Sequence, residues 1–422
     1  MKLKSIKSDL TGEIRIPASK SHTIRAVALA GIASGTSVLK NSLYSADTLS
    51  CIEGIKEFGA TVKQEDDLII TGTGGLPKKG PSKIDVGNSG TSLRILTGLA
   101  SLADFSISFD GDSSIRKRPM VPLLSALEKL GAQVESTGGK CPFTIKGPIK
   151  GGKTTVDGIS SQFLTALLIA CPLAKGDTEI TVENLHEKPY VEITLDWLSR
   201  LGIKFETKGL DWFAIPGNQA YKAFTRSIPA DFSSSTFAAV AAAITGSKLH
   251  IKGLDFSDHQ GDKQIFSFLQ QMGAKITYTH DGIIFEGGDL QGIDIDMNNT
   301  PDALPSMAVA GCFARGTTRL LNVAQARLKE CDRIHAATAE LTKMGAKIEE
   351  LEDGLVIHQS NLKGNQVHGY EDHRMVMALS VAGLASEGET IVDTAESVRI
   401  TYPSFVDDMK AIGANLEQVY EK

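Results

Sequence analysis

The sequence predicts an α/β protein of the α+β type, made of two similar domains that each contain three β-α-β-α-β-β units. Three observations predict it. Six times a helix end with a bulky apolar residue runs into glycine and then a β-prone stretch: IKEFGATV, LEKLGAQV, LSRLGIKF, LQQMGAKI, LTKMGAKI and MKAIGANL. These glycines, Gly59, Gly131, Gly202, Gly273, Gly345 and Gly413, lie 68 to 72 residues apart, and a fixed period marks one supersecondary unit used repeatedly. Upstream of each, small polar residues open an alanine-rich apolar run: SKSHTIRAVALAG, NSGTSLRILTGLA, SSQFLTALLIA, DFSSSTFAAVAAA, TPDALPSMAVAG and EDHRMVMALSVAG. Finally, a chain of 422 residues suggests two to three domains at roughly 150 residues each. A solenoid of this period would carry atypical end repeats, whereas these six are much alike.

The elements of each unit follow in order. The apolar runs, whose polar openings start at Ser19, Asn88, Ser160, Asp231, Thr300 and Glu371, read as buried helices with a Ser, Asp or Asn able to cap the amino end. A Gly-Thr, Gly-Asp or Gly-Ser turn and an Ile/Val/Leu strand come next, as in GTSVLKNSL, GDTEITVENL, GSKLHIKGL and GTTRLLNV. A second helix then ends at the repeat glycine, and a β-prone pair closes the unit. The amino terminus, MKLKSIKSDLTGEIRIPAS, reads as strand and lacks the apolar core of a signal peptide.

Composition bounds the function. Hydrophobic residues make up 41% and charged residues 22% of the chain, the balance of a globular enzyme with an ample core. A net charge of −6 argues against nucleic-acid binding, which needs a dense basic face. No window approaches the roughly 20 apolar residues of a membrane helix. The five cysteines are odd in number, widely spaced and without a CxxC pair, so neither a disulfide framework nor a zinc site is expected, and the cytoplasm is the expected compartment. The stretch from Gly147 to Thr154, GPIKGGKT, fits a phosphate-binding loop pattern, but TTVDG follows where that motif needs a helix, so a lysine-rich hairpin turn is expected.

The chemistry gathers at helix starts. Free N–H groups and the helix dipole make these natural anion sites, and here several carry a cation. Lys20 and Arg25 flank the first, Arg94 lies one turn into the second, and Arg374 follows Asp372 and His373 in the sixth. Arg116, Lys117 and Arg118 form SIRKRPM, and Lys329, Glu330, Asp332 and Arg333 form RLKECDRIH. Singly, each reads as a solvated surface charge. Their recurrence in an acidic chain points to a small, multiply anionic ligand.

At these residues the chain resembles the enolpyruvyl transferase family, and within it the 5-enolpyruvylshikimate-3-phosphate synthases. The matching segments, in family order, are PASKSHTIRA, VGNSGTSLR, KRPM, VDGISSQFLTALL, EKPY, NNTPDA, RLKECDRI and EDHRMVMA, spanning Ile16 to Phe405. The resemblance implies an inside-out α/β barrel-like fold. Residues 1–17 and 230–422 would form one discontinuous domain, the phosphoenolpyruvate and general-base side. Residues 18–229 would form the shikimate 3-phosphate side, with the active site in the interdomain cleft. It further implies transfer of the enolpyruvyl group of phosphoenolpyruvate to the 5-hydroxyl of shikimate 3-phosphate through a tetrahedral intermediate. No metal or organic cofactor is implied, and the expected form is a monomer acting on two small molecules.

By motif, shikimate 3-phosphate would be held by Lys20, Ser21, Arg25, Ser160, Ser161, Gln162, Tyr190, Asp302, Gln325 and Lys329. Phosphoenolpyruvate would be held by Lys20, Asn88, Gly90, Thr91, Arg118, Gln162, Arg333 and Arg374. Glu330 and Lys20 are the expected proton carriers at C3 of the enol, Asp302 the group that takes the hydroxyl proton, and His373 a further catalytic candidate. The bland alternative pairs Glu330 with Arg333 at i,i+3 on a helix surface. The family's competitor of phosphoenolpyruvate is glyphosate, and Gly90 is expected to leave room that an alanine methyl would fill.

Three positions depart from the family pattern. Glu187 precedes Lys188 where serine is usual, an acid facing a phosphate site unless the loop turns it away. Gln325 replaces asparagine, and Ile400 in SVRITYPSF replaces a lysine that grips phosphoenolpyruvate. In an extended segment Arg399 would point to the opposite face from Ile400 and compensate only at a bulge or turn. The rival within the family acts on UDP-N-acetylglucosamine; it requires a Lys-Asn pair near the amino terminus and a cysteine in the loop from Asp112 to Arg118, and this chain has Lys20-Ser21 and no cysteine there. A non-catalytic anion-binding pseudoenzyme rests on Ile400 alone.

Overall fold

In the computed structural model, residues 1–78 and 83–420 are described. The chain divides into two compact units: Met1–Pro17 with Pro229–Lys422, and Ala18–Ile228. Pro229 groups with the discontinuous unit. Each unit has its own hydrophobic core.

Among the described residues six four-stranded sheets, three in each unit, follow one plan: a parallel pair whose second strand borders an antiparallel pair, which is a hairpin in every sheet but the one that Lys2–Ile6 enters. Gly152–Asp157 pairs in parallel with Thr178–Glu183, for example, which then pairs antiparallel with Trp212–Ile215. Within a β-α-β-α-β-β unit this pattern follows because a parallel pair needs a crossover helix and a closing hairpin does not; the parallel pairs of Thr225–Ser227 with Thr36–Lys40 and of Thr11–Arg15 with Lys248–Lys252 instead join distant segments. Lys2–Ile6 completes a sheet with Glu389–Val392 and Asn415–Val419, and Thr11–Arg15 lies parallel to Lys248–Lys252. The first strands of the chain therefore belong with its carboxyl-terminal half.

The alanine-rich runs form six inner helices: α1 (Lys20–Ile32), α2 (Gly90–Ala100), α3 (Ser161–Ala170), α4 (Phe232–Thr245), α5 (Leu304–Phe313) and α6 (His373–Gly383). They are buried almost all round, as expected of helices apolar on every face. Small residues permit close approach: a Cβ on Gly98 of α2 would lie 2.7 Å from the Ala166 carbonyl oxygen of α3.

The repeat glycines terminate the second helix of each unit. All six have left-handed backbone, with φ from 76° at Gly202 to 121° at Gly273, a conformation glycine adopts without a Cβ penalty. After each, the next N–H reaches back to a carbonyl of the last turn, as Ala60 N–H does to Ile55 O at 3.0 Å and Ala346 N–H to Leu341 O at 2.9 Å. That 6→1 bond ends the helix and turns the chain into its strand.

Five inner helices carry a Ser or Asp N-cap of the expected kind, Ser19, Ser89, Ser160, Asp231 and Asp372, each accepting from a backbone N–H of the first turn. The fifth helix differs. A 3-10 turn, Pro301–Ala303, precedes α5, and no side chain caps it. Proline supplies the preset φ of a helix start, and the Asp302 carboxylate turns to arginines instead. The GPIKGGKT stretch leads into strand Gly152–Asp157, so the helix that a phosphate loop needs does not follow.

Candidate active site

In the unit Ala18–Ile228, the starts of the inner helices carry the polar groups. Lys20, the first residue of α1, places Nζ 3.1 Å from Oδ2 of Asp47, which is only 3% exposed. Asp47 escaped the sequence reading because it looks like an ordinary first-turn acid of helix Ala46–Glu57, and only the fold brings it to Lys20.

Arg25, one turn further along α1, is 1% exposed. It donates to Thr194 Oγ1 at 2.9 Å, the Tyr190 carbonyl at 2.9 Å, the Ser21 carbonyl at 3.0 Å and Thr165 Oγ1 at 3.3 Å. Burial pushes its pKa down to about 10, still charged at neutral pH. Arg25 thus ties α1 to α3 and to helix Lys188–Arg200. Ser21 and Tyr190 are half-buried beside it.

At α2, Arg118 donates to Asn88 Oδ1 at 3.2 Å and Ser114 Oγ at 3.1 Å, while Asn88 donates to Asp112 Oδ2 at 2.7 Å. Arg94 donates to the Pro119 carbonyl at 3.2 Å, and Thr91 is buried in the first turn. The expectation of open room at Gly90 is overturned. A Cβ there would meet Arg94 Nη1 at 2.5 Å and Arg118 Nη1 at 2.6 Å, so an added methyl must displace guanidinium groups. Arg116 lies apart, in a bidentate pair with Asp110 at 2.8 and 2.7 Å that, with Lys83, holds the Asp110 carboxyl well below the usual range.

At α3, Ser160 accepts from the Gln162 N–H at 3.4 Å. Glu187 does not turn away from this helix start. Its Oε2 accepts from Ser161 Oγ at 2.8 Å and from the Ser161 N–H at 3.4 Å.

In the discontinuous unit, Arg333 organises a cluster of carboxylates. It is 1% exposed. Nε donates to Asp372 Oδ2 at 2.8 Å, Nη1 to Asp302 Oδ1 at 2.8 Å, and Nη2 to Glu330 Oε2 at 2.7 Å. The three carboxylates raise its pKa well above the ordinary value against the opposing effect of burial. Asp302 also accepts from Arg374 Nη2 at 2.9 Å and lies 3.8 Å from Lys329 Nζ. Asp372 both caps α6 and binds Arg333. Glu330 lies before helix Arg333–Lys343 and is 10% exposed, so its ion pair is sheltered and not the helix-surface pair considered above.

Gln325 is buried, donating to the Asn298 carbonyl at 3.0 Å, and His373 is fully buried at 0% exposure. Beneath the cluster, Asp262 accepts from Ser233 Oγ. Burial first, and then the charge of Asp302, pushes the Asp262 carboxyl up to about 7. Neither residue was singled out from the sequence, where Asp262 sits in an unremarkable QGDK turn. Around Ile400 the expectation of an extended segment fails. Ala395–Ile400 is a 3-10 turn in which Ile400 is 8% exposed and Arg399 is exposed, its charge acting on Glu396 three residues before it. Residues three apart eclipse in such a turn, while Glu396 itself pairs with the Met1 ammonium at 3.1 Å.

Comparisons with known proteins show the family of the chain. A family model described as EPSP synthase (3-phosphoshikimate 1-carboxyvinyltransferase) matches residues 4–409. The chain is 50% identical over 419 residues to a 3-phosphoshikimate 1-carboxyvinyltransferase of Acetivibrio thermocellus, covering 99% of both chains. It is also 50% identical over 422 residues to the protein of that name from Ruminiclostridium cellulolyticum, covering 99% of this chain and 100% of the other. Its structure is similar to EPSP synthase from Acinetobacter baumannii, with a TM-score of 0.83, 28% identity and 99% of both chains covered.

Proposed function

The chain belongs to the EPSP synthase family, and we propose that its units divide one reaction: Ala18–Ile228 supplies most of the substrate-binding groups, and the Arg333 cluster moves the protons. The enzyme transfers the enolpyruvyl group of phosphoenolpyruvate to the 5-hydroxyl of shikimate 3-phosphate and releases phosphate. Neither UDP-N-acetylglucosamine transfer nor a non-catalytic role is favoured by these relatives. Burial also pushes the thiols of Cys51, Cys141, Cys171 and Cys312 up to about 12, far from a reactive thiolate.

The observation that carries the division is that one buried guanidinium holds both Asp302 and Glu330. In the addition step the 5-hydroxyl oxygen bonds to C2 of the enol, its proton passes to Asp302, and C3 gains a proton from Glu330 or Lys20. In the elimination step the C2–O bond to phosphate breaks, and the proton that leaves C3 returns to Glu330 or Lys20, restoring the double bond. Both carboxylates are held by charge-assisted bonds that fix their orientation before substrate arrives. Arg333 serves in this reading by positioning them through four of its five N–H groups, and it also meets phosphoenolpyruvate. Arg374 and Lys329, beside Asp302, and Arg118 and Lys20 neutralise substrate charge, with Gln162, Asn88 and the backbone at Gly90 and Thr91 completing the phosphoenolpyruvate contacts. Ser21, Ser160, Ser161, Tyr190, Arg25 and Gln325 hold or support the sugar phosphate. His373, fully enclosed, supports α6. We place the enzyme in the cytoplasm as a monomer, a reading supported by its unpaired cysteines and its small-molecule chemistry.

Phosphate release from phosphoenolpyruvate tests the reading. Release is expected with shikimate 3-phosphate and absent with UDP-N-acetylglucosamine or no acceptor; release independent of shikimate 3-phosphate contradicts it.

Gly90→Ala supplies a second prediction. The methyl must push the guanidinium of Arg118 or Arg94 aside, and Arg118 is assigned here to phosphoenolpyruvate, with which glyphosate competes. Glyphosate inhibition should therefore weaken about tenfold or more, with a smaller rise in KM for phosphoenolpyruvate. Inhibition constants measured for wild type and variant check this, and equal values contradict it.

A further inference from the structure

The anion site at the start of α3 already holds an anion that belongs to the chain. Glu187 is 2% exposed, and its carboxylate accepts from the first hydroxyl of the helix, Ser161 Oγ at 2.8 Å, and from the Ser161 N–H at 3.4 Å. A carboxylate and a phosphate accept hydrogen bonds from the same donors, and both are favoured at a helix N-terminus. The two cannot use these donors together.

The backbone holds this carboxylate in an uncommon conformation. Glu187 has φ 56° and ψ 41°, and Asn184 in the same loop has φ 49°. A residue with a Cβ rarely adopts this region, and such positions cluster where a segment switches or clamps a ligand. The loop is tethered near the helix start by the His186 N–H to the Gly158 carbonyl at 3.0 Å. A return of Glu187 to ordinary backbone geometry would carry its carboxylate off Ser161.

We infer that Glu187 is a tethered competitor of the substrate phosphate: it occupies the Ser161 donors and must leave them before the sugar phosphate binds. The inference rests on the assignment of Ser160 and Ser161 to the phosphate of shikimate 3-phosphate. It makes Glu187 a residue that sets affinity and specificity without taking part in bond making. An acceptor with a full dianionic phosphate displaces the carboxylate, and one lacking that group does not.

The test is titration calorimetry of shikimate 3-phosphate, and separately of shikimate, into the full chain, with KM and kcat for the same variants. Glu187→Gln keeps the shape and weakens the competition. It is expected to tighten shikimate 3-phosphate about tenfold, leave shikimate unchanged, lower KM for shikimate 3-phosphate and hold kcat, converting about 1.4 kcal/mol of released competition. Glu187→Asp, which retains the charge, should behave as wild type. Thermal melting of each variant identifies any that do not fold, and Glu187→Ser is the substitute for a misfolded glutamine variant. Unchanged or weaker binding in a folded Glu187→Gln overturns the inference, as does equal tightening of shikimate. Ser161→Ala separates this from the underlying assignment. If Ser161→Ala weakens shikimate 3-phosphate while Glu187→Gln does nothing, the phosphate site stands and the competitor falls; if neither matters, the assignment falls with it.

Discussion

Replacement of Arg333 by leucine is expected to destabilise the discontinuous unit by about 3–5 kcal/mol, the usual consequence of stripping the partner from buried charges. Three carboxylates, Asp302, Glu330 and Asp372, converge on this guanidinium, and Asp372 is 0% exposed. Asp302 retains Arg374 at 2.9 Å. Asp372 loses the cation bound to both its oxygens, at 2.8 and 3.3 Å. Arg333→Lys should rescue little, since one ammonium does not span three carboxylates that a planar fork reaches at once. Denaturant unfolding of wild type and both variants at neutral pH checks this. Equal stability of wild type and Arg333→Leu contradicts it.

Replacement of Glu330 by glutamine is expected to lower kcat by about 10²-fold or more, the range of a lost general acid or base. The amide preserves shape and one acceptor for Arg333, so the fold and the binding of shikimate 3-phosphate should change little. A loss in kcat with KM for shikimate 3-phosphate nearly constant marks an interaction made in the transition state. Steady-state kinetics decide it. An unchanged kcat reduces Glu330 to a sheltered ion pair with Arg333.

Much of the architecture was legible because the repeat is punctuated by backbone necessity. Gly59, Gly131, Gly202, Gly273, Gly345 and Gly413 each sit at positive φ after a helix, and only a residue without a Cβ takes that position at no cost. The alanine-rich runs announced buried inner helices for a similar reason, as close approaches such as Gly98 to Ala166 demand small side chains. What failed was local geometry set by tertiary context. The stretch SVRITYPSF has β-prone residues, yet Ala395–Ile400 winds as a 3-10 turn packed against α6. In TPDALP the aspartate was of a capping type, but the turn begun by Pro301 releases Asp302 to the arginines. Pairings between distant segments were invisible for the same reason. Lys20 and Asp47 lie on successive helices, and nothing in either segment names the other. Motifs located the residues Asp302, Glu330 and Arg333, whereas their common attachment to one guanidinium appears only in the fold.

The central claim, that a proton is added to and then removed from C3 under control of the Arg333 cluster, is tested most directly by turnover in heavy water. A methyl group formed at C3 mixes one solvent deuteron with two original hydrogens. Wild-type enzyme with shikimate 3-phosphate is therefore expected to place deuterium at C3 of the enolpyruvyl product, and of phosphoenolpyruvate recovered from reversal, as followed by nuclear magnetic resonance. Glu330→Gln should slow this wash-in together with kcat. Product formed in heavy water with no deuterium at C3, or wash-in at the wild-type rate in Glu330→Gln, would contradict the account.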